Sequence, residues 1–219
     1  ATGAVADTAE VLTLNVAVNA GQTLTVSDYE TLTINTSGTA TSLAFVGGAT
    51  TDVTLNGGTT LALTAATAKS INAAAYTGAI THTATSAQAG TVTYGTGNDS
   101  VTATTAQTLV LDGGAGDDTL VLPADADGIT FSNFEVITQA TVTASDASQW
   151  AGKSAILNGG ASITIDNADV ATIDLSGYTL SAAGDFFIVS GALDGTKLLA
   201  STALTITGTK GTDQLTGTA

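Results

Sequence analysis

The chain reads as an all-β protein, and among β folds as a parallel β-solenoid, on three observations. Short strands of alternating apolar and polar residues start mostly 8 to 12 residues apart along the 219-residue sequence. Forty-four Thr, twenty-five Gly and a single Pro favour pleated strands joined by glycine-rich turns over helices. Two glycine-rich turns that each close on an Asp recur at a spacing of 118 − 99 = 19 residues, which stacks one above the other if each coil consumes about two such units.

Each element follows from this pattern. Leu12-Thr13-Leu14, Leu24-Thr25-Val26, Leu32-Thr33-Ile34, Leu43-Ala44-Phe45, Val53-Thr54-Leu55 and Leu61-Ala62-Leu63 alternate with period two, the period of a half-buried strand. The series continues at Ile71, Ile80, Val92-Thr93-Tyr94, Val101, Leu109-Val110-Leu111, Leu120-Val121-Leu122 and Ile129-Thr130-Phe131. Gly, Asn, Asp, Ser and Ala fill the intervals, as turns require. At Ser145–Gly152 the pattern breaks into a corner, where Ser145 is placed to cap a single helical turn that Gly152 ends. Strands resume at Ile163-Thr164-Ile165, Val170-Ala171-Thr172-Ile173-Asp174-Leu175, Phe186-Phe187-Ile188-Val189 and Leu204-Thr205-Ile206. The division expected is a solenoid over 1–144 and a continuing β-rich segment over 145–219, with no Pro/Ser linker or charge run between them.

A second architecture shares the spacing. Val26-Ser27-Asp28-Tyr29-Glu30 is echoed by Phe131-Ser132-Asn133-Phe134-Glu135, and Leu55-Asn56-Gly57-Gly58 by Leu157-Asn158-Gly159-Gly160. Two immunoglobulin-like β-sandwich domains of about 100 residues each would produce these echoes, and so would similar rungs of one solenoid. The stacked Asp turns favour the solenoid.

The turn Gly113-Gly114-Ala115-Gly116-Asp117-Asp118-Thr119-Leu120-Val121 fits G-G-x-G-x-D-x-U-x at all nine positions, U being a large apolar residue. Tyr94–Thr102 fits except at the first Gly, and Gly208–Thr216 fits except at the second. Glycines let successive carbonyl oxygens turn toward one point while a short carboxylate closes the cage. Calcium, a hard cation taking about six to eight oxygens, suits such a cage. The apolar residue then starts a strand whose side chain points inward and ties loop to core.

These nonapeptides resemble the RTX family, bacterial proteins exported by type I secretion whose arrays fold as calcium-filled parallel β-rolls. The resemblance implies calcium ligands at Asp99 and Asp118, with backbone oxygens around Gly95, Gly97, Gly113, Gly114 and Gly116, and at Asp213 with Gly208 and Gly211. Asp112, directly before the best-matching loop, is a further candidate ligand, with turn chemistry as its alternative. The Thr/Ala-rich strands, with Tyr29-Glu30-Thr31-Leu32-Thr33-Ile34 and Phe134-Glu135-Val136-Ile137-Thr138, look most like the subgroup that forms bacterial surface layers (S-layers). That implies a non-enzymatic, secreted, cell-surface protein that assembles with copies of itself, other regions meeting a cell-surface polysaccharide. An RTX adhesin stalk is the alternative.

Composition bounds the partners. Sixteen Asp and three Glu face four Lys and no Arg, for a net charge of −15, which repels nucleic acid and favours calcium. Mean hydropathy of +0.34 and 43% hydrophobic residues imply a folded chain. Without Cys, neither disulfides nor thiolate metal sites form. The apolar runs are too short for a membrane-crossing helix, and no leader-type segment opens the chain. No Met, and a close just past a nonapeptide, imply a slice or processed product of a longer protein.

Other chemistry-bearing residues read as structural. Asp125 and Asp127 suit Asx turns, and Asp117, at a variable motif position, suits a solvated side chain. His82, the sole histidine, lacks neighbours for a zinc site or a catalytic triad. Trp150 suits a packing anchor, and Glu30 and Glu135, at equivalent places in repeated strands, suit hydrogen bonding at coil edges. No phosphate-loop motif occurs, and the Gly113 loop leads into a strand rather than a helix.

Overall fold

The structure is a computed structural model and describes residues 10–17, 22–26, 29–38, 42–46, 50–84, 90–104, 108–138, 141–143, 145–158, 162–165, 172–180, 186–189, 205–207 and 214–215. Gly208, Gly211 and Asp213 lie outside the described residues, as do Val170, Ala171 and Leu204 of the expected strands.

Two strands make each of the early coils. The first strand of each is β1 (Val11–Ala17), β3 (Thr31–Ser37), β5 (Asp52–Asn56), β7 (Ser70–Asn72), β9 (Gly90–Thr93), β11 (Leu109–Asp112) or β13 (Ile129–Ser132), and these stack in that order as one seven-stranded sheet. Their partners are β2 (Gln22–Thr25), β4 (Ser42–Val46), β6 (Leu61–Thr67), β8 (Ile80–Ala84), β10 (Ser100–Ala103), β12 (Thr119–Val121) and β14 (Val136–Thr138), which stack in a nine-stranded sheet completed by β16 (Ile156–Asn158) and β19 (Thr179–Leu180). Every strand pair among the described residues is parallel. This is a parallel β-solenoid. It excludes the two-sandwich alternative, whose sheets would be antiparallel.

The echoes that suggested two domains have another origin. Glu30 precedes β3 in one sheet while Glu135 precedes β14 in the other, so the similar segments lie on different faces of one winding. What they share is a task at the coil corner: Glu30 Oε2 accepts the Glu10 N–H at 2.7 Å, and Glu135 Oε2 accepts the Asp118 N–H at 2.7 Å.

Period-two patterning places one apolar residue per rung inside, so the core is a set of columns running up the winding. Leu32, Val53, Ile71, Val92, Leu111 and Phe131 form one column, and Leu63, His82, Val101, Leu120, Ile137 and Leu157 another, all buried. His82 is thus a core residue, its Nδ1 paired with the buried Tyr94 hydroxyl at 2.7 Å. On the exposed side Asn15, Asn35 and Asn56 stand in register and pass a 2.9 Å amide hydrogen bond from each to the next.

Beyond Val136 the winding gains a face. β15 (Thr141–Val142), β17 (Ser162–Ile165), β20 (Phe186–Val189) and β22 (Gln214–Leu215) stack as a separate sheet, and β18 (Thr172–Asp174) pairs with β21 (Thr205–Thr207). Helix α1 (Ala147–Trp150) packs on both β13 and β18, taking the level between them. The helix is capped differently from the expectation. Asp146 is the residue before its first turn and its N–H donates to Gln149 Oε1 at 2.5 Å, a capping-box bond. Ser145 instead donates to the Thr164 carbonyl at 2.6 Å and accepts from Trp150 Nε1 at 3.0 Å. Gly152, with φ +71°, ends the turn as expected. Gln149 Nε2 reaches the Ala126 and Ile129 carbonyls, and Trp150 is fully buried, edge-on to Phe131 and tilted against Tyr178.

Because each column is continuous, a gap in one rung loosens its neighbours. Leu120 sits in register between Val101 and Ile137 with no exposure. Leu120→Ala is expected to cost about 2–5 kcal/mol of unfolding free energy, read from urea denaturation midpoints.

Candidate metal centre

The glycine loops occupy the same corner of successive coils. Tyr94–Asp99 joins β9 to β10, Gly113–Asp118 joins β11 to β12, and the shorter Asn133–Glu135 turn joins β13 to β14. Since Ser100 is in register with Thr119, and Thr119 with Val136, the residues just before these strands, Asp99, Asp118 and Glu135, stand one above another. The spacing of the two Asp turns therefore has the meaning expected of it.

These carboxylates form a ladder. Asp99 Oδ1 accepts the Ile80 N–H at 2.6 Å, Asp118 Oδ1 accepts the Asp99 N–H at 2.7 Å, and Glu135 Oε2 accepts the Asp118 N–H. Each acid thus satisfies the main-chain donor at its own position one coil earlier. Such charge-assisted bonds are stronger than neutral ones. Asp99 and Asp118 are buried, 1% and 0% exposed, whereas Glu135 is exposed.

The two Asp side chains differ in what remains free. Asp99 Oδ2 also accepts the Gly95 N–H, at 3.3 Å, so both its oxygens are engaged. Asp118 Oδ2 is buried without a hydrogen-bond partner. Burial pushes the Asp118 pKa up to about 6 against the opposing Asp99 N–H bond, and the charges of Asp99, Glu135 and Asp117 push in the same direction as burial. Burial likewise raises the Asp99 pKa, its bonds from Ile80 and Gly95 opposing. Unpaired charge held out of water is costly, and a cation placed on Asp118 Oδ2 would offset that cost.

The glycines bring the loops into contact. Gly114 has φ +92°, and a Cβ there would lie 2.2 Å from the Gly95 carbonyl oxygen. Gly116 has φ +141°, and its Cβ would lie 2.6 Å from the Gly97 carbonyl oxygen. Side chains at either position would force the loops apart. The Gly95 carbonyl accepts the Ala115 N–H at 2.9 Å, and Asn98 Oδ1 accepts the Asp117 N–H at 3.2 Å. Gly113 donates its N–H to the Ser132 carbonyl at 3.0 Å.

Asp112 stands at the opposite end of its loop from Asp118. Its Oδ1 accepts the Gly114 N–H at 3.2 Å and Asn133 Nδ2 at 2.7 Å, the bonds of an Asx turn and a rung contact. Asp125 Oδ1 accepts the Asp127 N–H at 3.2 Å as a turn, and Asp117 is exposed. The sequence pattern points to Glu135 as a coil-edge acceptor rather than one of a catalytic carboxylate pair, and does not place it on the Asp column. Its distance from Asp118, 135 − 118 = 17 residues, is the one available signal.

The donor set of carboxylate and carbonyl oxygens fits a hard cation such as calcium. Among the described residues there is no group of three or more His, Cys, Asp or Glu side chains that could hold a metal ion, so main-chain oxygens must supply much of any coordination. The chain matches no family model, no curated protein and no solved structure.

The raised Asp118 pKa fixes a sign. A carboxyl whose folded pKa exceeds its unfolded value adds stability below the unfolded pKa, lost as pH rises through about 6. His82 works the other way: burial lowers its pKa to about 4, so stability is lost as pH falls from the unfolded value toward 4. Comparison with Asp118→Asn isolates the first effect, since both proteins keep His82. In chelator, the stability of the parent relative to this variant should fall between pH 4 and pH 6 in urea melts. In calcium that trend should reverse.

Proposed function

We propose that this chain is a structural segment of a bacterial surface layer, folded in a calcium-dependent way and assembling laterally with copies of itself on the cell exterior. The calcium half of the reading rests on the buried, unpartnered Asp118 Oδ2 at the end of the Gly113–Asp118 glycine loop. Bound calcium would neutralise the acidic column and hold successive coils together, coupling folding to external metal. The role is structural rather than enzymatic.

The assembly half is supported by the nine-stranded sheet. Its outward positions from β8 to β16 are Thr81, Thr83, Ser100, Thr102, Thr119, Val121, Val136, Thr138, Ile156 and Asn158, without one charged residue in a chain of net charge −15. Ile156 is 43% exposed. A flat face of neutral hydroxyls and small apolar groups imposes no charge repulsion when two copies meet side by side. The seven-stranded sheet, by contrast, carries Asp52 and Asp112 at outward positions within its strands. An adhesin stalk would use the same calcium-stiffened winding without that lateral contact.

Calcium at about 100 times its dissociation constant is expected to raise unfolding free energy by about 2.7 kcal/mol, with Asp118→Asn abolishing the gain in denaturation followed by circular dichroism. Electron microscopy of the calcium-loaded chain should show ordered sheets, and Thr102→Lys on the neutral face should disperse them. Extended single particles in calcium would favour the stalk, and equal stability in calcium and chelator would remove the metal mechanism.

A further inference from the structure

The ladder points its free oxygen in a definite direction. Asp118 Oδ1 is turned toward the preceding coil, bonded to the Asp99 N–H. Oδ2 lies on the side of the following coil. A Cβ built on Gly113 would be 2.9 Å from Asp118 Oδ2 and 1.9 Å from the Asn133 carbonyl oxygen, so two oxygens from adjacent coils converge on one point. The preceding tier offers nothing comparable, because both carboxylate oxygens of Asp99 are engaged by main-chain donors.

We propose that a divalent cation of the calcium type is held one coil further along than the nonapeptide pattern places it, between the Gly113–Asp118 loop and the Asn133–Glu135 turn, by Asp118 Oδ2, the Asn133 carbonyl and the Glu135 carboxylate. This assignment rests on the calcium reading above and names a ligand set for it. Asn133 adopts φ +54°, the one positive φ outside glycine among the described residues, and its side chain is tied to Asp112 Oδ1. Glu135 is exposed and lines, with Ser132, Asn133, Phe134, Lys153 and Ser154, a cleft of about 280 Å³ on the side of the next coil, so water can reach its carboxylate. The positive charge in that cleft is committed elsewhere: Lys153 Nζ donates to the Gln149 carbonyl at 2.6 Å and lies 4.5 Å from the Phe131 ring centre. Among the described residues the acids at this tier therefore have no cationic side chain paired with them, and calcium, tolerant of irregular oxygen shells, fits them better than magnesium.

Calcium titration of the whole chain by calorimetry, after chelation, tests the assignment. Glu135→Gln keeps an oxygen to accept the Asp118 N–H and removes the charge, and should weaken binding about tenfold or more. Asp125→Asn, in an exposed turn away from the acid column, should leave affinity within about threefold of the parent. A Glu135→Gln variant that binds like the parent, beside an Asp99→Asn variant that loses binding, overturns the assignment and leaves calcium between the Gly95 and Gly113 loops. No binding by the parent overturns both readings. A measurement on the parent alone guards against misfolded variants: calcium should shift the carbonyl carbon resonance of Asn133, and a shift at Gly97 in its place sinks the proposal.

Discussion

The fold depends on the requirement that every coil return each strand directly above the strand one turn earlier. Main-chain hydrogen bonds then run along the winding from coil to coil, and a strand that missed its register by one residue would turn its core residues to solvent. Coil length absorbs the variation: Thr119 to Val136 takes 17 residues and Ile156 to Thr179 takes 23, yet the pairing stays parallel. The longer span holds two further strands, β17 and β18, where the shorter holds one, β13. The carboxylate ladder belongs to the same logic. At the corner before a strand, a main-chain N–H is at risk of losing its partner, and an acid one coil later supplies it.

The same corner combines stability with a vulnerability. Acids stacked at consecutive levels repel, and the two buried members cannot be shielded by water. Main-chain donors relieve Asp99 on both oxygens but Asp118 on only one. The imbalance is what makes Asp118 chemically distinctive among the described residues, and Gly113 of its own loop lets the Asn133 carbonyl oxygen share its neighbourhood.

The strands were legible because a solenoid rung is a local object: Leu32-Thr33-Ile34 or Leu109-Val110-Leu111 announces its inward face by alternation alone. The stacking of Asp99 on Asp118 was legible because two similar turns one coil apart must superpose in such a winding. Glu135 was not, since its turn has no glycine pattern and its longer side chain performs the Asp role from a shorter coil. Nor was the third face, whose first strand is the two-residue β15, too short for periodicity to register. The helical corner was anticipated, but its capping passed from Ser145 to Asp146 because Ser145 is drawn into contacts with Thr164 and Trp150. His82 sits in a column of aliphatic residues because the Tyr94 hydroxyl lies within reach, a long-range partnership that no local pattern encodes.

The direction of the Asn15–Asn35–Asn56 ladder, parallel to the main-chain bonds of its sheet, has a mechanical consequence. Tension applied along the winding loads these bonds in series, so the weakest junction between coils yields first and the rod unravels rung by rung. Shear applied across it meets whole rows of bonds at once. A material woven from such rods would be tough in its plane and would shed strain by peeling from its ends.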